Sequence, residues 1–349
     1  MSALSPGLLA RTLLAPAELL FRGAVRARNA WLDRPGRATR VSVPVISVGN
    51  LAVGGTGKTP LVAWLARHLV QEGHVPAIVS RGYGGTAGPG PLVVSSGGGP
   101  RLNARVAGDE PLLLARAVPR AIVVVGSDRI EGARTAASLG ATAVLLDDGF
   151  QHRRLARDLD VVLLDGRAPF ANRRMLPAGP LREPPKALRR AGIVVLTRLS
   201  PSDRAETAVA AVRKTGFAGP VLRAGHDPAG FVSREGAAID PPDRVVAFCG
   251  IGDPERFRSD LSGLGVTILG FHAFRDHHVL SAPEIRSLSD EARRHGVPLA
   301  TTQKDLVRLE PAGVRPWGDA TLIALAIEAR IHDERALRDA VRRVLAGRG

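Results

Sequence analysis

An apolar run from Val43 to Val48 passes through a glycine-rich loop, residues 49–57, into a helix-compatible stretch from Thr59 to Glu72, and the junction reads Gly54-Gly55-Thr56-Gly57-Lys58-Thr59. Few segments constrain a fold so tightly. Glycines let backbone N–H groups converge on a polyphosphate at a helix N-terminus, a lysine reaches the terminal phosphates, and a threonine hydroxyl serves magnesium. The segment departs from the strict G-x-x-x-x-G-K-[ST] spacing, because Ala52 stands at the first glycine position. Val53, Gly54, Gly55, Thr56, Gly57, Lys58, Thr59 and Pro60 form the expected nucleotide-binding segment.

A phosphate loop works between a strand and a helix, and the rest of the chain continues in that key. Short apolar runs recur at Ala77–Ser80, Ala121–Val125, Ala143–Leu146, Val161–Leu164 and Ile193–Leu196, mostly separated by helical or loop stretches. Strands that are apolar throughout, rather than at alternate residues, need cover on both faces. The expected fold is α/β, a mainly parallel sheet of the P-loop NTPase type flanked by helices. A second, smaller α/β lobe is expected from strand Val245–Cys249, helix Glu255–Leu264, strand Val266–Gly270, helix Ala282–His295 and strand Pro298–Thr301. The Pro-, Gly- and Asp-rich stretch 221–243 reads as a linker, giving domains at 33–220 and 244–349, and Thr86 to Pro100 reads as a mobile surface loop.

Asp147 and Asp148 follow the run Ala143–Leu146. Two adjacent carboxylates beside a polyphosphate are tolerable when a cation offsets their repulsion, so with Thr59 they are candidate magnesium ligands. After the run Ile193–Leu196 the chain continues Thr197-Arg198-Leu199-Ser200, without the Asn/Thr-Lys-x-Asp that reads guanine, which favours ATP over GTP.

The net charge of +15 invites an anionic partner, yet aromatic residues make up only 4% and no arginine block is interleaved with them, which argues against a nucleic-acid stacking platform. The single cysteine, Cys249, excludes an internal disulfide framework and fits a reducing compartment. Residues 1–32 read as an amphipathic helix in which Leu13, Leu14, Leu19, Leu20 and Phe21 alternate with Arg11, Glu18, Arg22, Arg26 and Arg28. The charges recur too often for a membrane span. Taken alone, such a helix is expected to pack on the protein's own core, with the bilayer interface as the alternative.

The chain resembles the tetraacyldisaccharide 4′-kinase family, which phosphorylates the lipid A disaccharide precursor. The likeness runs through Ser47-Val48-Gly49-Asn50-Leu51, Ser80-Arg81-Gly82-Tyr83-Gly84, Gly108-Asp109-Glu110-Pro111, Asp147-Asp148-Gly149-Phe150-Gln151-His152, Leu176-Pro177-Ala178-Gly179-Pro180-Leu181-Arg182-Glu183, Phe248-Cys249-Gly250-Ile251-Gly252, Phe274-Arg275-Asp276-His277-His278 and Thr302-Gln303-Lys304-Asp305. The resemblance implies a two-lobed kinase using ATP and magnesium at the cytoplasmic face of the bacterial inner membrane. It implies Asp109 as the base for a sugar hydroxyl, acting with His277, and Lys58 as the charge-stabilising cation. An aspartate with its ordinary pKa of about 3.9 is a weak base, and a partner imidazole can orient it and share the proton. The adjacent His278 confounds that choice, which rests on the family's register alone. Glu110 is implied in the metal or hydrogen-bond network, and Arg81, Gln151 and Arg153 are candidates for holding phosphate groups. Lys304 and Asp305 have no evident chemical role; a lobe-packing ion pair is the simplest account.

The implied substrate turns the N-terminal helix toward the membrane. A tetraacylated disaccharide leaving the bilayer would expose each CH₂ to water at about 0.8 kcal/mol, so the enzyme must come to the surface, where anionic lipids attract its arginines. Two other readings share the phosphate loop. One is a nucleotide-hydrolysing switch or metallochaperone-type ATPase or GTPase; the other is a basic ATP-binding protein without catalysis.

Overall fold

The computed structural model describes residues 8–199, 205–309 and 320–347 apart from 84, 87, 89, 235 and 277, with side chains from residue 13 onward. Helix α1 (Leu8–Leu32) precedes β1 (Val45–Asn50) and α2 (Lys58–Gln71). There follow β2 (Pro76–Ser80), β3 (Leu92–Ser96), α3 (Ala104–Ala107), α4 (Asp109–Ala117), β4 (Ile122–Val125), α5 (Arg129–Ser138), β5 (Ala143–Asp147), β6 (Leu159–Asp165), β7 (Ile193–Thr197) and α6 (Ala205–Arg213). The remainder comprises β8 (Val221–Ser233), β9 (Ala238–Ile239), β10 (Arg244–Cys249), α7 (Pro254–Gly263), β11 (Thr267–Ala273), α8 (Ala282–His295), β12 (Leu299–Thr302), α9 (Gln303–Arg308), β13 (Leu322–Ile331) and α10 (Glu334–Ala346).

Among the described residues these strands form one 13-stranded sheet in the order β11-β10-β12-β13-β8-β7-β6-β1-β5-β2-β4-β3, with β9 beside β8. Pairing is parallel except for β3 with β4, β8 with β13 and β8 with β9, as a mainly parallel sheet requires. Every residue of β1, β2, β4, β5 and β7 is buried, because helices and long segments cover both faces. One core layer packs Leu61, Leu65 and Leu69 of α2 with Leu114 and Val341; the opposite layer gathers Phe150, Leu188, Phe217 and Val25 of α1. Around β10, Phe248 meets Leu288 and Leu306 on one face while Val245 meets Phe257 and Leu261 on the other.

Two sequence expectations need correction. The stretch 86–100 contains β3, which closes one edge of the sheet on β4. The stretch 221–243 is no loose linker, for β8 runs through 13 of its residues. Val221, Leu222 and Arg223 continue the first half of the sheet beside β7, and Ala224 to Ser233 pair with β13 of the second half. Within the expected bounds 244–349 the second half also contains β13 and α10, and β13 supplies the partner that makes β8 a strand.

Helix α1 buries Val25, Leu32 and Glu18 against the body, and the Glu18 carboxylate accepts from Met175 N at 3.0 Å and Arg174 Nη1 at 2.8 Å. Its outer side exposes Leu13, Leu19 and Leu20 at 82%, 67% and 77%.

Candidate functional site

Register sets the site. Val48 of β1 lies beside Asp147 of β5, so the acidic strand end stands next to the start of the phosphate loop. The loop is braced from several sides. Asn50 Nδ2 donates to Gly54 O at 3.3 Å and Thr56 Oγ1 at 3.2 Å, Thr197 Oγ1 donates to Thr56 O at 3.0 Å, and Val53 N donates to Pro180 O at 2.9 Å. Gly57 caps α2 at φ 79°, a left-handed conformation that side chains resist, and hands the chain to Lys58 and Thr59 in the first helical turn. Pro60 fits that same turn, where its missing N–H has no helical acceptor to lose.

Lys58 Nζ lies 3.4 Å from Asp148 Oδ1, an attraction not directed as a hydrogen bond. Arg182 Nη1 bonds the other oxygen, Asp148 Oδ2, at 2.7 Å. Burial works to raise the Asp148 pKa, but Lys58 and Arg182 outweigh it and hold the carboxyl below its usual range. Asp148 itself sits at φ 54°, an uncommon conformation for a residue with a side chain. Asp147 is the opposite case: burial first, then the Glu110 carboxylate, push its pKa up to about 7 against the pull of Lys58. Its Oδ2 accepts from Ser80 Oγ at 3.5 Å, while Oδ1 is buried with no hydrogen-bond partner.

That orphaned oxygen, the elevated pKa and the neighbouring Asp148 make a donor set short of one positive charge, which suits a hard divalent cation. Among the described residues no three His, Cys, Asp or Glu groups converge closely enough to hold a metal unaided. Magnesium meets that condition, because it keeps several waters and draws on substrate phosphates.

Asp109 and Glu110 open α4 after Gly108, whose φ of 87° and close approach to Tyr83 O, 2.7 Å from where a Cβ would stand, let two motif loops pack backbone to backbone. Helix α9 answers these acids with two cations. Arg308 Nε bonds Asp109 Oδ2 at 2.6 Å and Lys304 Nζ bonds Glu110 Oε1 at 2.8 Å. Arg308 is only 5% exposed and also donates to Gly250 O and Asp305 Oδ1, both at 2.8 Å. Burial raises the Glu110 pKa, yet Lys304 and then Lys58 bring it below its usual range, so Glu110 lies in the field of the phosphate-loop lysine. The ion pair expected of Lys304 and Asp305 therefore takes a different form. Lys304 reaches Glu110 across the two halves, and Asp305 holds Arg308, Gly250 N and Thr302 Oγ1.

The three phosphate-holding candidates part ways. Gln151 joins the site: its Nε2 donates to Asn50 O at 2.9 Å and its Oε1 accepts from Arg182 at 3.5 Å. Arg81 is exposed beyond β2 and lies in the electrostatic field of Arg129. Arg153 instead ties the 147–153 loop to the end of α1, through Asn29 O and an ion pair with Asp33. His277 lies outside the described residues, but its neighbour His278 does not. The His278 ring stacks on Phe274 at 5.1 Å and meets Glu284 Oε1 at 3.1 Å.

Sequence reasoning gave no role to Arg182, Arg308 or His226. The first stood inside a quoted motif. The second sits one helical turn after Lys304, a spacing that aligns two cations on one face and could have signalled it. No local pattern marks His226.

A family model described as Tetraacyldisaccharide-1-P 4′-kinase (LpxK) matches residues 10–346. Relatives named tetraacyldisaccharide 4′-kinase include one from Anaeromyxobacter dehalogenans (strain 2CP-C), 46% identical over 326 residues that span 90% of this chain and 85% of the relative. Another, from Syntrophus aciditrophicus (strain SB), is 41% identical over 315 residues, 86% of this chain and 84% of that one. Among solved structures, an "apo" form of LpxK from Aquifex aeolicus in complex with ATP is similar with a TM-score of 0.79 at 33% identity, covering 96% of this chain and 99% of that one.

Proposed function

This chain belongs to the tetraacyldisaccharide-1-P 4′-kinase family, and from that premise we propose how its residues divide the work. The enzyme is an ATP-dependent kinase that moves the γ-phosphate of ATP to the 4′-hydroxyl of a tetraacyldisaccharide 1-phosphate, a step of lipid A biosynthesis. In our reading the backbone of residues 53–60 clasps the triphosphate and Lys58 offsets the charge that develops on the moving phosphoryl group. Thr59, Asp147 and Asp148 hold magnesium, with Glu110 beside them. When bound there, the ion neutralises charge on the phosphate oxygens. Asp109, with His277, accepts the 4′-hydroxyl proton as the new O–P bond forms and the bond to the β-phosphate oxygen breaks, leaving ADP. Arg308 fixes the plane of the Asp109 carboxylate.

The observation that carries this reading is Lys58 of the phosphate loop 3.4 Å from Asp148, with Glu110, which also feels the charge of Lys58, next to Asp109 at the start of α4. Acids from one loop and the phosphate-loop lysine are thereby neighbours, and α9 of the second half holds the acids in place. We divide the chain into a docking segment at 1–32 that contains α1, a kinase lobe at 33–220 and a second lobe at 244–349, joined through β8.

We further propose that α1 docks the enzyme peripherally on the cytoplasmic face of the inner membrane. Among the described residues no helix is long and apolar enough to cross a membrane. The exposed Leu13, Leu19 and Leu20 suit the acyl region, and the exposed Arg22 and Arg26 suit anionic headgroups. The test supplies γ-labelled ATP with the acylated disaccharide 1-phosphate in anionic vesicles and looks for label in the lipid. ATP turnover indifferent to that lipid points to a switch instead. Replacing all three leucines by serine is expected to weaken vesicle binding at least about tenfold while sparing transfer in detergent micelles. Unchanged vesicle binding removes the docking role.

The Asp147 carboxyl gives a pH-dependent expectation for the metal-free protein. Its folded pKa of about 7 lies above the ordinary 3.8, so the native state keeps a proton that the unfolded state releases. This group therefore lowers stability progressively as pH rises from about 4 to 7. Asp147→Asn should stabilise the metal-free chain by on the order of 1 kcal/mol or more at pH 8, less at pH 5, and abolish magnesium-dependent turnover. Thermal unfolding at the two pH values checks the sign.

A further inference from the structure

His226 stands against the phosphate loop although it comes from β8, the strand shared by the two halves of the sheet. A Cβ built on Gly57 would lie 1.7 Å from His226 Cε1 and 2.1 Å from Nε2, so the imidazole fills the space that a side chain at position 57 would need. The Gly57 backbone also acts on the ring, favouring its protonated form against the effect of burial. Its own backbone is fixed from the second half: His226 pairs with Ala329 of β13, and its carbonyl accepts from Arg256 Nη2 of α7 at 2.6 Å. Three residues earlier, Arg223 is the last residue of β8 paired with β7 of the first half. A residue at this crossing touches the nucleotide clasp and answers to both halves.

We infer that His226 is a positioning residue for the phosphate loop: by filling the open face of Gly57 it holds that glycine in its left-handed conformation, and so keeps the amides before Lys58 aimed at the nucleotide. The inference rests on the phosphate-loop reading and adds a part to it. A left-handed glycine can relax readily, since it has no side chain to restrict it. An imidazole wedged against it removes the room to do so. Burial keeps the ring's pKa below the usual range against the opposing effect of the Gly57 backbone, so the wedge adds shape without placing another cation beside the phosphates. Arg198 approaches the same loop from β7, its Nη2 3.9 Å from the Cβ position of Gly55, and is held by Asp165 at 3.4 Å.

The test compares full-length wild type, His226→Ala, His226→Asn, Gly57→Ala and the double variant Gly57→Ala/His226→Ala, with Lys58→Ala as the loop control. MgATP affinity is read by calorimetry, KM for each substrate by steady-state kinetics, and Tm by thermal unfolding. His226→Ala is expected to raise the Kd and KM for MgATP about fivefold to tenfold, the effect of the packing lost against Gly57, while KM for the lipid and Tm hold. His226→Asn, which refills part of that space, should recover part of that loss. Gly57→Ala alone should bind MgATP worse than the double variant, because removing the ring relieves the clash. Unchanged MgATP affinity in His226→Ala, a parallel rise in both KM values with a fall in Tm, or a double variant no better than Gly57→Ala overturns the inference alone. Wild type that fails to bind MgATP overturns the loop reading beneath it.

Discussion

Lys58→Ala is expected to lower kcat/KM by about 10³-fold or more, with the loss mainly in kcat. The expectation follows from where charge moves. As the γ-phosphoryl group transfers, negative charge spreads over oxygens that the loop backbone alone offsets only in part, and removing a single preorganised donor from such a site already costs about 10²- to 10³-fold. Lys58 does more than donate. Its side chain is 15% exposed and it lies within the fields of Asp148, Asp147 and Glu110. Truncating it takes away the one cation whose field reaches all three carboxylates, although Arg182 still holds Asp148 and Lys304 still holds Glu110, so magnesium must compete with protons that the acids then retain. Lys58→Arg should not rescue, because a planar guanidinium cannot take the place of a compact ammonium inside the loop. Single-turnover transfer from γ-labelled ATP to the lipid checks both. Near-normal turnover in Lys58→Ala would remove the phosphate loop from the chemistry.

What the sequence disclosed and what it hid divide along a physical line. The loop, β1, α2 and the acids at the end of β5 were legible because each is a contiguous pattern whose meaning is local. An apolar strand, a glycine turn and a helix start follow one another within 30 residues of chain, as at 43–72. β8 was not legible. Gly225, Asp227, Pro228 and Gly230 interrupt its alternation, and it becomes a strand because β13, read from a distant part of the chain, pairs along it. β3 was hidden in the same way by glycine and proline on both sides. The cross-lobe partners lie further still from local reading. Arg308 reaches Asp109 over 199 positions, and nothing near His226 announces that its ring meets Gly57. A cation's neighbour across a cleft is a property of topology, and topology entered the sequence reading only through resemblance.

Asp109→Asn carries the second large expectation, a fall in kcat of about 10²- to 10⁴-fold with MgATP affinity held within about threefold. Asparagine is the informative replacement. Its amide oxygen can still accept from Arg308, which is buried and would otherwise lose a partner that helps to hold α4 against α9, so the local fold persists. Only the capacity to take a proton is lost. Alanine would mix that loss with an uncompensated buried guanidinium and cannot separate the two. Should Asp109 and His277 act as one unit, Asp109→Asn/His277→Ala will be scarcely worse than either single change, since a base and its orienting partner fail together. His278→Ala is the control. Its ring is engaged by Phe274 and by Glu284, which also caps α8, so its removal should leave kcat near wild type at some cost in stability. A His278→Ala enzyme as damaged as His277→Ala leaves the choice of His277 over its neighbour without support. Retention of a tenth or more of kcat in Asp109→Asn assigns the proton to a different acceptor altogether.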